Sequence, residues 1–147
     1  MTADFSPSHP FDEVLLALDV KAARDAELHS AFQANGEWVV SGLMHDMREE
    51  LQKANERLCQ RGLRLEYGEG GFGSQPDASK AFQDLLLSKG YGYAYKTITK
   101  LEFCLSESAD IELRTASGDV FRTYQVPPKP DVLIEDLAAA CRAALGI

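Results

Sequence analysis

Gly68-Glu69-Gly70-Gly71-Phe72-Gly73 is the stretch of this sequence whose residue types and spacing point most directly to chemistry. It satisfies GxGxxG, follows an alternating Leu63, Leu65, Tyr67 pattern, and precedes a helix-like run that starts at Ser74. Glycines in that setting let backbone amides approach a phosphate at a helix N-terminus. Gly68, Gly70 and Gly73 are therefore the candidate cofactor-contacting residues. Against this stand the absence of Lys or Arg from the loop and the presence of Glu69, whose charge repels phosphate. A plain turn between a strand and a helix accounts for the same glycines, and it is the reading preferred here.

The hexapeptide resembles the glycine-rich loop of protein kinases and the dinucleotide fingerprint, and both resemblances end with it. A kinase would need a VAIK-type lysine and HRD and DFG motifs, and none follows. A dinucleotide fold would need a second parallel strand ending in an acid about 20 residues later; the sequence has Tyr-Gly-Tyr-Ala-Tyr at 91–95 instead. His45 and Glu49 stand i, i+4 on one helix, but two ligands do not make a metal site. No GxSxG, HExxH or CxxC occurs. No catalytic residue, metal or cofactor is assigned.

Tyr91, Tyr93 and Tyr95 read as a ladder on one face of one strand. Their hydroxyls need partners, which suits a sheet edge or a groove, and tyrosine is enriched where proteins meet. Val120 and Tyr124 fall on the charged face of the neighbouring strands. These five residues are the candidate partner-binding set.

The elements that would carry these residues follow from periodicity. Met1 to Pro7 is a loose end, and Ser8 can cap a helix with Pro10 in its first turn. Phe11, Val14, Leu15, Leu18, Ala22, Leu28 and Phe32 form an apolar stripe that Asn35-Gly36 should stop; one helix or two fits, with a break near Asp19 preferred. Val40, Leu43, Met47, Leu51, Ala54 and Leu58 give the best-patterned helix, closed by Gly62. Trp38, at its start, reads as a core anchor. A short strand at Leu63–Tyr67 leads to a helix capped at Ser74, with Ala78, Phe82, Leu85 and Leu86 inward and Lys89-Gly90 at its end. Pro127 to Pro130 stops the last strand, and Asp131 caps a final helix with Leu133, Ile134, Leu137, Cys141 and Leu145 inward.

Between Tyr91 and Val126 the sequence predicts a three-stranded antiparallel meander residue by residue. Ala116-Ser117-Gly118 fits a hairpin loop with glycine in the left-handed position, setting Thr115 opposite Asp119. Apolar matching then pairs Leu105 with Ile111, Phe103 with Leu113, and Leu113 with Phe121. Glu102 falls opposite Arg114 and Glu112 opposite Arg122, each pair contributing about 0.2–1 kcal/mol. Leu101, Phe103, Ile111, Leu113 and Phe121 become the buried face. The expected fold is α+β in one domain, residues 1–147: N-terminal helices, short strand, helix, meander, and a C-terminal helix packed on one sheet face.

Composition narrows the function classes. The 147 residues carry a net charge of −8, spread over both halves, which argues against a nucleic-acid backbone or an anionic membrane as partner. It leaves room for a basic protein. Three cysteines, far apart, fit a reducing cytoplasm as small hydrophobes. The N-terminus has no signal-peptide pattern, and no apolar run approaches a membrane span. The function expected is a non-enzymatic protein-binding module of the adaptor, chaperone-like or toxin-antagonist type. The alternatives are a small nucleotide-binding domain or enzyme using Gly68–Gly73, and self-association through the meander edge.

Overall fold

The structure is a computed structural model that describes residues 9–74, 77–91 and 94–147, with only the backbone of Tyr91. Met1–Ser8 and Tyr93, to which the sequence assigned a loose end, a cap and one ladder position, lie outside the described residues.

Helix α1 spans Pro10–Glu37 without interruption. His9 caps it: its Nδ1 accepts from the Phe11 amide at 3.1 Å, and its own amide donates to Asp12 at 3.0 Å. The break expected near Asp19 does not occur. Alanines at 17, 22, 23 and 26 favour helix most strongly of all residues, and the Lys21–Asp25 pair at 2.7 Å spans the weakly patterned middle.

Asn35-Gly36, read as the stop, is helical too, because both residues are needed elsewhere. The Asn35 side-chain amide donates to the carbonyls of Ala109 at 2.7 Å and Gln125 at 3.0 Å. At Gly36 the helix lies so close to the next layer that a Cβ would stand 2.9 Å from the Ala78 carbonyl oxygen. A π turn, Trp38–Gly42, carries the chain into α2 (Leu43–Asp46), and α3 (Arg48–Leu58) follows after a kink at Met47. The single helix expected from Val40 to Leu58 is therefore divided. Trp38, Val39, Leu43, Met47 and Leu51 all reach the core across these irregularities. Trp38 is buried as expected; its indole donates to Asp46 at 3.0 Å and its ring meets Phe103 edge-on. Gly62 closes the segment in the left-handed conformation, as the pattern implied.

Among the described residues, five antiparallel strands follow in simple sequential order: β1 (Leu63–Gly71), β2 (Phe82–Tyr91), β3 (Ala94–Leu105), β4 (Ile111–Arg114) and β5 (Val120–Tyr124). The α+β class and the closing helix hold, whereas the helix predicted from Ser74 to Lys89 is strand β2. The spacing of Ala78, Phe82, Leu85 and Leu86 suits a helix, but a short apolar run is ambiguous by periodicity alone. With β1 on one side and β3 on the other, its backbone finds partners along its whole length, and Gln83, Leu85 and Leu87 are buried at alternate positions. Among the described residues, a 3₁₀ turn, Ala78–Lys80, precedes it.

The β3–β4 hairpin has the expected register, with Glu102 opposite Arg114, Phe103 opposite Leu113 and Leu105 opposite Ile111. In the β4–β5 hairpin, Thr115 and Asp119 pair and Gly118 is left-handed, also as expected. Beyond that point a bulge intervenes. Arg114 meets Val120 but Leu113 meets Arg122 and Glu112 meets Thr123, so the pairs Leu113–Phe121 and Glu112–Arg122 do not form. The extra residue lets Phe121 turn toward the core while Arg122 and Tyr124 both reach Asp136.

Helix α4 (Pro130–Leu145) covers the same sheet face as α2 and α3, through Leu133, Leu137 and Ala140. Lys129 occupies its N-cap position, with Asp131 inside the first turn, and Leu145 is exposed rather than inward. Among the described residues, no helix is long and apolar enough to cross a membrane.

Candidate interaction surfaces

The glycine stretch is built into the edge of the sheet. Gly68, Gly70 and Gly71 belong to β1, and among the described residues the next elements are a 3₁₀ turn and β2, so the loop-to-helix geometry a phosphate cradle depends on is not seen. Gln83 explains the glycines. Its buried amide donates to the carbonyls of Gly68, Glu69 and Asp84, and a Cβ on Gly70 would collide with it. Gly73, in a left-handed turn, has open space around it.

The ladder of tyrosines is not on one strand: Tyr91 ends β2 and Tyr95 lies in β3, across the hairpin. Tyr95 is 39% exposed, and the Arg64 guanidinium stacks on its ring at 3.7 Å. Val120, 45% exposed, does lie on the charged face, opposite Arg114. Tyr124 does not: its hydroxyl bonds Asp136 of α4 at 2.5 Å. Burial, and then that bond, hold its phenol protonated far above the ordinary range. Of the five proposed contact residues, two present described, exposed side chains.

The sheet face turned away from the helices carries charge. Asp84, Glu102 and Arg114 lie in one cross-strand row. Burial pushes the Asp84 carboxyl up, Lys100 at 3.9 Å opposes this, and Oδ1 has no hydrogen-bond partner among the described residues. Burial likewise pushes the Cys104 thiol up to about 11, which keeps it protonated and unreactive. Cys59, by contrast, is exposed. Among the described residues no three His, Cys, Asp or Glu side chains gather as a metal site, and His45 and Glu49 stay on the surface.

Two stretches of open sheet edge are protected, one on β1 and one on β3. On β1, the Asn55 side chain mimics a neighbouring strand, accepting from the Leu65 amide at 2.7 Å and donating to the Leu65 carbonyl at 2.9 Å. On β3, β4 pairs only from Glu102 onward, leaving the earlier half with an open edge. Lys96 and Lys100 flank that half and a register shift at Ile98 twists it, which are devices that discourage edge-to-edge pairing.

Helix α1 is the surface that sequence reasoning passed over. Residues 13 to 30 are exposed without exception. Phe11 is 66% exposed, Leu16 62%, Leu15 58%, Leu18 54% and Val20 51%. The stripe read as core-facing is real as a stripe, but the core does not reach it. Leu16 and Val20 also lie on the opposite side from Leu18, so the first half of α1 is apolar nearly all round. That second set was the available signal, because a helix apolar on every side is one that gets covered. No family model matches the chain, and no curated protein or solved structure shows significant similarity to it.

Proposed function

We propose that this protein is a non-enzymatic protein-binding module that works through the projecting half of α1. One observation carries the reading: a continuous helix that is anchored at its base and leaves Phe11, Leu15, Leu16, Leu18 and Val20 in water. Fully burying a side chain of this kind is worth about 1.5–3 kcal/mol. Laying such anchors into an apolar groove is a recurrent mode of recognition.

The charges suggest the kind of groove. From Phe11 to Val20 the charged residues are Asp12, Glu13 and Asp19, all acidic. Such a helix suits an apolar groove rimmed with Lys or Arg, in keeping with the excess negative charge of the whole chain. The glycine stretch contributes to this reading only as architecture.

A photo-crosslinking residue placed at Leu16 tests it in cells of the source organism, with the same residue at Lys53 on α3 as reference. A discrete adduct with another protein from Leu16 and not from Lys53 is the expected result. Identical patterns from both positions, or no adduct from Leu16, would overturn it.

A further inference from the structure

The buried line on the base of α1 does not stop where the body stops. Val39 in the π turn and Asn35 are buried, Phe32 is half-buried, and the same line continues outward through Leu28, Asp25, Lys21, Leu18 and Val14. From Val14 to Phe32 the steps alternate between four and three residues, the spacing at which two helices mesh side by side. We propose that this line is covered by the same line of a second copy of the chain, the two α1 helices lying antiparallel about a two-fold axis near Ala23. The inference rests on the reading of the arm as an interaction surface and names the occupant of one of its sides.

A single register satisfies every position of the line from Val14 to Phe32. Val14 falls opposite the partner's Phe32, Leu18 opposite the partner's Leu28, and Lys21 opposite the partner's Asp25, each repeated by symmetry. Within one chain Lys21 already holds Asp25 at 2.7 Å, so the two pairs close into a ring of alternating charge at the centre. Sliding the helices by seven residues sets Lys21 against Leu18 one way and against Phe32 the other. A parallel pair sets Lys21 against Lys21 and Asp25 against Asp25. The polar pair therefore specifies both direction and register, the use to which buried polar residues in helix pairs are best suited.

The flanks agree with close approach. Ala22 comes near its own mate across the axis, and Ala17 near the partner's Ala31. Arg24 also nears its mate, at an exposed rim where like charges cost little. The overlap ends at Phe32, because Asn35 is already buried against Ala109 and Gln125 of its own chain. Leu16 and Val20 remain outward for a different protein. The overlap is about 28 Å long and about 10 Å wide. That is a small contact by the standard of stable interfaces, so weak, concentration-dependent association is expected.

Sedimentation of the purified full chain over a wide concentration range tests this. The expected result is a reversible monomer–dimer equilibrium, weakened at least tenfold by Leu18→Asp. Lys21→Asp alone and Asp25→Lys alone should each give monomers, because each sets like charges face to face. The double variant carrying both should dimerise again, because it restores opposite charges across the axis. All these side chains are exposed in the single chain, and circular dichroism would confirm that each variant folds. A wild-type chain that stays monomeric at every concentration overturns the inference, as does a dimer indifferent to the charge reversals. Neither outcome touches the arm's adduct with another protein, so the two readings fail separately.

Discussion

The two ends of α1 make the most instructive comparison in the molecule. At the base, Asn35 and Gly36 meet the loop before β4, the end of β5 and the turn before β2, and each has a contact only that residue provides. At the tip, apolar side chains at the same helical spacing meet water. Both ends have the composition of a helix that packs, and one of them is packed. An apolar stripe is thus a statement that something covers it, and it does not say whether the cover is the same chain.

That comparison can be broken from either side, and the core gives the largest effect. Phe103→Ala removes a fully buried ring that Trp38 meets edge-on, and should cost about 3–5 kcal/mol, read as a fall in the denaturation midpoint. Leu16→Ser on the arm should stay within about 0.5 kcal/mol of wild type in a dilute, monomeric sample. Equal losses from the two would mean that the arm packs on its own body.

Asp84→Asn gives a smaller effect of opposite sign. The native carboxyl is raised by burial, so the folded chain holds its proton more tightly than the unfolded one. Above its folded pKa the charged form costs stability, and the cost disappears as pH falls toward the ordinary value of about 4. The variant should therefore be more stable than wild type at neutral pH, with the advantage gone in acid. An advantage that persists unchanged at low pH would point to packing instead.

The smallest effect concerns Tyr67, whose buried hydroxyl has no partner among the described residues and whose phenol is pushed up to about 12 by burial. An unfolded tyrosine ionises near 10, so wild-type stability should fall as pH rises from about 10 to 12. Tyr67→Phe should flatten that fall and leave neutral stability unchanged or slightly raised. A base-induced loss of the same depth in both proteins would assign it to other groups.

Much of the fold is legible because it is local. The β3–β4 register follows from Leu105, Phe103 and Leu113 together with the charges of Glu102 and Arg114, since a one-residue slip would turn every side chain over. The turn at Gly118 and the helix end at Gly62 follow from backbone sterics. The bulge at Phe121 was not legible, because its cause is Asp136 on α4, which draws Arg122 and Tyr124 together. Nor was β2, whose apolar run suits a helix until β1 and β3 supply partners on both sides. Of the proposed interaction surface, the residues Phe11, Val14, Leu15 and Leu18 were all in view; their exposure was not.

By itself the sequence determined where side chains sit relative to one another along each element: the period of α1, the alternation of β3, the glycine turns, the proline stop. These depend on dihedral preferences and spacings within a few residues. Tertiary structure alone decided which of those faces are covered. Gly70 reads as a phosphate contact until Gln83 is found lying across it, and Leu18 reads as core until the body ends short of it. Coverage depends on what other parts of the chain come near, and nothing in a local pattern encodes that.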